Sequence, residues 1–172
     1  VLGGTIKVAD LQYEIRSCLT ELVDTAVWEM GRQDIVDPHA PCKGALACLE
    51  FVAGCDPDGR TSVESLLVDN FPFLMERVNS VLDTEIKHTL GGHSHGMVWI
   101  TNGSDSDGCH ALRGLQNVIK LMGNSVKNFL PVLISTLKHV LERRGLQAAA
   151  LTVWGMLVRQ GPATLFGPYL CQ

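Results

Sequence analysis

An all-α chain is what this sequence predicts, and three observations predict it. Apolar residues recur at steps of three and four along successive stretches, the period of a helix with one buried face. Glycine and proline gather between most of those stretches, and Pro72 falls where a helix opens. One thirteen-residue segment also matches another further along, as expected when a helical unit is used twice. The only strand-like run, Met97 to Ile100, has no β–α alternation around it from which a sheet could be built.

Asp10 can cap a first helix running to about Met30, with Leu11, Ile15, Cys18/Leu19, Leu22, Ala26/Val27 and Met30 on one face. Arg32 to Pro41, carrying Pro38 and Pro41, is a loop. A short helix follows from about Lys43 to Ala53, burying Leu46, Leu49/Cys48 and Val52, and the cluster Gly54 to Gly59 ends it. Thr61-Ser62-Val63-Glu64 has the form of a capping box, with Thr61 and Glu64 each accepting from the other's backbone N–H. It opens a short helix through Val68. Asn70 then caps a longer helix to about Leu90, with Pro72 in the first turn, where a missing N–H goes unnoticed. Gly91 to Gly108 is a long Gly-rich loop. Helices resume over Asp107 to Met122, Asn124 to Arg144 and Leu146 to Arg159. Gly123 and Gly145 stand between them, where a left-handed helix end favours glycine.

The internal match lays Phe71-Pro72 through Asp83 on Leu130-Pro131 through Glu142, and every apolar position agrees. The offset is 59 residues, of which the Gly-rich loop accounts for about 18. The remainder falls inside the ~40–47-residue period of HEAT and armadillo units. The expected architecture is therefore an α-solenoid of HEAT-like antiparallel helix pairs with one long Gly-rich loop at 91–107.

Composition narrows the function. The chain has 172 residues, 14 Lys+Arg against 18 Asp+Glu and a net charge of −4. With no basic excess to meet phosphates, direct nucleic-acid binding is not expected. The longest mostly apolar run, Leu146 to Val158, falls short of the ~20 residues that span a bilayer, so no membrane partner is expected either. Six cysteines without a C-x-x-C pair are read as reduced thiols of an intracellular protein. Four of them are expected to fill core positions, with Cys18, Cys48 and Cys109 at or beside apolar helical positions. The chain opens on Val1 and stops in mid-pattern at Gln172, which is read as an interior piece of a longer solenoid.

Several motifs imitate active sites. Gly92-His93-Ser94-His95-Gly96 fits the nucleophile-elbow pattern, with Asp105 or Asp107 and His110 or His139 as partners for Ser94. It follows a helix rather than a strand, so a serine hydrolase is a remote alternative. His93 and His95, with His88, Cys109 and His110 nearby, match no zinc spacing. Asp56-Pro57-Asp58-Gly59 with Glu64 resembles a calcium loop, but the bidentate acid should then stand at Ser65. Asn102-Gly103-Ser104 is a glycosylation sequon that matters only in a secreted chain, and Ser104 to Asp107 is an acidic phosphoacceptor pattern. No catalytic, cofactor-binding or metal-binding residue is assigned.

The segment Ala111 to Gly123, with its Lys120-Leu121-Met122-Gly123 core, resembles the opening of the UME domain of ATR-type checkpoint kinases. These are members of the phosphatidylinositol 3-kinase-related kinase family. The helix from Val126 to Leu141 and the stretch Ala149 to Val158 around Trp154 follow that family's order. Val68 to Met75 and Asp83 to Ile86 resemble the HEAT segment that precedes it. The likeness covers about residues 44 to 160, and the loop 91–108 has no counterpart in it. It implies HEAT-like repeats over 1–106 and the start of a UME-like domain over 107–172. It further implies a non-catalytic scaffold within a nuclear serine/threonine kinase that signals DNA damage and replication stress. ATP and magnesium would belong to that parent's kinase domain, with none held in this segment. The partners implied are an ATRIP-like subunit and neighbouring repeats of the same chain. The alternative is a HEAT or armadillo adaptor unrelated to kinases.

Overall fold

Among the described helices, two open on the local side-chain caps Ser62 and Ser106, and two carry a proline, Pro41 or Pro131, in the first turn. The computed structural model describes residues 8–32, 37, 39–56, 59–91, 106–143 and 145–161, with side chains described in all of these except 8–17 and 86–91. Every regular element among them is helical: α1 (Val8–Gly31), α2 (Ala40–Gly54), α3 (Val63–Gly91), α4 (Asp107–Met122), a 3-10 helix (Gly123–Phe129), α5 (Leu130–Leu141) and α6 (Gln147–Gln160). The fold is all-α.

Contacts between named residues give the helix directions. The end of α3 meets the start of α4, where Glu85 Oε2 accepts from the Gly108 N–H at 2.7 Å. The start of α3 meets the residues after α4, where Ser125 Oγ donates to Glu64. These two helices are an antiparallel pair. A short connection likewise turns α6 back along α5, and α2 packs on α1. Between pairs the first helices run the same way. Thr20 and Asp24 of α1 meet Asn70 and Arg77 of α3. Phe71 of α3 stacks at 4.3 Å on Phe129, and Asn79 accepts from Thr136 of α5 at 2.9 Å. α4 touches α1, α3 and α6, so its buried residues face several ways: Ala111, Leu112, Gly114, Leu115, Val118, Ile119 and Met122. One continuous core runs from Val23 to Leu157.

The tightest junction is where α1 crosses α4. A Cβ on Gly114 would fall 2.6 Å from the Val27 carbonyl oxygen, and one on Gly31 would collide with the His110 carbonyl. Only glycine allows backbones this close. The crossing also closes the end of α1, whose last carbonyls have no helical donor. Arg113 Nη1 donates to the Gly31 carbonyl at 3.2 Å and Asn117 Nδ2 to that of Met30 at 3.0 Å.

The internal match corresponds to a shared buried face. Phe71, Leu74, Met75 and Val78 are buried on α3, and their counterparts Leu130, Leu133, Ile134 and Leu137 are buried on α5. Phe73 and Val132, also counterparts, are both exposed.

Several sequence expectations are corrected. No break occurs at Asn70: α3 runs unbroken from Val63 with Pro72 inside it. Pro72 cannot donate to the carbonyl four residues back, yet Leu67, Phe71, Leu74 and Met75 bury on both sides of it. Asn70 is held within the helix, its Nδ2 donating to the Leu66 carbonyl and its Oδ1 accepting from Thr20. The capping box sits one residue later than expected. Ser65 N–H donates to Ser62 Oγ and Ser62 N–H to Ser65 Oγ, because Asp56 already takes both the N–H and the hydroxyl of Thr61. The helix expected over Asn124 to Arg144 divides into the 3-10 helix and α5, with Pro131 in the first turn of α5. Pro41 similarly opens α2 rather than ending a loop. Gly123 has a positive φ of 51° but, with ψ −123°, not the left-handed helical conformation expected, and Gly145 has no positive φ. There the turn closes through Leu146 N–H to the Arg143 carbonyl.

The cysteines also differ. Cys109 is buried, Cys42 is half-buried, and Cys18, Cys48 and Cys55 are exposed. On α2 the buried stripe is Ala45, Leu49 and Ala53, one position round from the expected one, which turns Cys48 outward. Cys171 and the 92–105 stretch lie outside the described residues.

Candidate functional site

Among the described residues, those suspected of chemistry are not brought together. Ser94, His93, His95, Asp105, the Asn102 sequon and Ser104 lie outside the described residues, as does the side chain of His88. Of the partners considered for Ser94, Asp107 opens α4, His110 packs edge-on to Trp28, and His139 is exposed on α5. Asp56 serves as a turn acceptor, taking the N–H groups of Arg60 and Thr61 with one oxygen, and Gly59 beside it has φ 61°. Among the described residues no three His, Cys, Asp or Glu side chains are grouped to hold a metal ion. No helix among them is long and apolar enough to cross a membrane.

What the structure does assemble is a set of helix junctions and grooves. At the junction of α1, α3 and α4, Arg77 reaches Asp24 at 2.6 Å and lies 5.6 Å from the centre of the Trp28 ring. Trp28 in turn meets His110 with the rings 84° apart. Burial pushes the Asp24 carboxyl above its ordinary value of 3.8, and Arg77 opposes that shift. The cluster ties three helices through one charged pair and one aromatic platform, a holding role rather than a reactive one.

Two grooves run between helices. One, of about 660 Å³, lies between α1 and α2 and includes Leu22, Ala26, Ala45 and Cys48. The other, of about 670 Å³, lies between α3 and the parallel 3-10/α5 segment. Pro72, Phe129 and Val132 line it together with Glu76 and Asp83. Sequence reasoning missed both, because each depends on which helices become neighbours. For the second groove the available signal was Val132, apolar at an exposed position where a solvated helix would be polar.

Comparison with known families bears on this helical assembly. The model of the UME (NUC010) domain matches residues 67–172. The chain belongs to the UME domain family. This family is found in proteins related to the phosphatidylinositol 3-kinase-related kinases. The UME match begins within α3 and takes in α4, the 3-10 helix, α5 and α6, so the Phe71–Phe129 stack and the α3–α5 groove lie inside it. No curated protein and no solved structure matches the chain.

Proposed function

We propose that this chain is a non-catalytic helical scaffold of an ATR-like serine/threonine protein kinase, acting in DNA-damage and replication-checkpoint signalling in the nucleus. The observation that carries the reading is the UME match over α3 to α6, in a chain whose described side chains are spent on joining helices. In this reading the helix pairs are part of a longer HEAT-like solenoid. Arrays of that kind gain stability mainly from interfaces between neighbours, and their outward faces remain available to partners. ATP and magnesium act at the parent's kinase domain, and the partners are an ATRIP-like subunit and adjoining repeats.

The test is to read the coding sequence beyond Gln172 and to recover the endogenous protein with its associated subunits. A kinase domain on the same polypeptide, with nuclear foci after replication arrest, supports the reading. A reading frame that closes within a few hundred residues without a kinase domain overturns it in favour of a HEAT or armadillo adaptor.

A further inference from the structure

From the groove between α3 and the 3-10/α5 segment, we propose that this chain docks an amphipathic helix of a partner protein, apolar on one face and carrying two basic residues seven positions apart. The floor is apolar: Pro72 and Val132 are exposed and Phe129 half-buried, over the buried Phe71. Its volume is about 670 Å³. The two flanking helices run parallel, as the successive contacts Phe71–Phe129 and Asn79–Thr136 require. A trough between parallel helices accepts a third helix laid along it.

Charge selects the occupant. Glu76 and Asp83 line the groove from α3, are both exposed, and pair with no described cation. Among the described residues, no Lys or Arg lines it. Seven residues apart on one helix, the two carboxylates are separated by about 10 Å along its axis. A helix lying alongside matches that spacing with basic residues at i and i+7. Arg77, next to Glu76 in sequence, is turned away to Asp24 and does not neutralise this edge. An acidic wall of this kind also disfavours nucleic acid.

This deepens the scaffold reading by naming the chemistry of one partner, and it rests on that reading only for the claim that the groove is used. The test takes the 172-residue chain and measures anisotropy of labelled 14-residue helical peptides. One peptide carries a Leu/Phe stripe with Arg at i and i+7, a second has Glu in place of both Arg, and a third has Ala in place of the stripe. The Arg peptide is expected to bind at least tenfold more tightly than either control, with the margin over the Glu peptide shrinking at high salt. The double variant Glu76→Arg/Asp83→Arg, altered only at exposed positions and checked for unchanged helix content, should prefer the Glu peptide. Absence of Arg-peptide binding, equal binding of the Arg and Glu peptides, or a preference the double variant leaves unchanged overturns the proposal. Self-association of the chain abolished by Val132→Asp also overturns it, since a second copy would then be the occupant. None of these results bears on whether a kinase domain follows Gln172, so the two proposals fail separately.

Discussion

α4 and α6 are the second helices of consecutive pairs, yet they live in different surroundings. α4 is gripped by α1, α3 and α6, and most of its residues from Gly108 to Met122 are buried or half-buried. α6 buries Ala150, Val153 and Leu157 and leaves Leu151 and Val158 more than half exposed. Each carries a glycine in its interior. Gly114 is where the α1 backbone presses in, whereas an added Cβ on Gly155 would meet nothing within 4 Å. Helical glycine is therefore a packing requirement in one helix and a plain loss of helix propensity in the other. The same residue in the same kind of helix has opposite value according to whether another backbone presses on it.

The largest effects should come from removing side chains at the crowded end of this contrast. Leu112→Ala in α4 and Leu137→Ala in α5, both fully buried, should each cost about 2–5 kcal/mol in urea unfolding. Leu151→Ala on the open face of α6 should stay within about 0.5 kcal/mol. A Leu137→Ala loss below that same level would mean the wrong face has been assigned to the core.

Gly114→Ala comes next. Helix propensity alone would make it stabilising, but the new methyl meets a backbone carbonyl that cannot rotate away. A net loss of about 1–3 kcal/mol is expected. Gly155→Ala should do the reverse and raise stability by about 0.5–1 kcal/mol. Equal signs for the two glycines would erase the distinction between the helices.

The smallest effect is electrostatic. Burial raises the Asp24 carboxyl above its unfolded value of 3.8, so the folded state holds that proton more tightly than the unfolded state. Its contribution to stability is full below the unfolded value and is lost as pH rises through the folded one. Asp24→Asn should flatten that part of the stability–pH curve, and an unchanged slope measured by chemical denaturation between pH 3 and 7 would contradict it.

Much of the fold was legible in residue order because it depends on short-range chemistry. α4 starts and stops where Asp107, Met122 and Gly123 indicated, with Ser106 Oγ accepting from the Cys109 N–H at its start. The Pro72/Pro131 match located two helices that bury the same face. The failures came from competition between neighbours. Thr61 is a sound cap by type, but Asp56 claims its donors, and the cap passes to Ser62. Asn70 is an equally plausible cap, but α1 supplies Thr20 and keeps it inside the helix. Cys48 was misplaced because α2 has small apolar residues on several sides, so its pattern does not choose between adjacent faces. The grooves were invisible for a further reason: Glu76 and Val132 are 56 positions apart in the chain, and only the parallel packing of α3 and α5 brings them to one trough.

The contact between Glu85 and the Gly108 N–H has a consequence for how this region can change. It joins the last turns of α3 to the first turn of α4, and Ser106 caps that same turn from the other side. These contacts fix the register of the pair from the helices themselves. Closing a flexible connection costs only about 0.6 kcal/mol more for each doubling of its length. Related chains can therefore gain or lose residues between Gly91 and Ser106 while the helix pair stays where it is. The interval is thus a place where chain length can change at little cost to the helix pair.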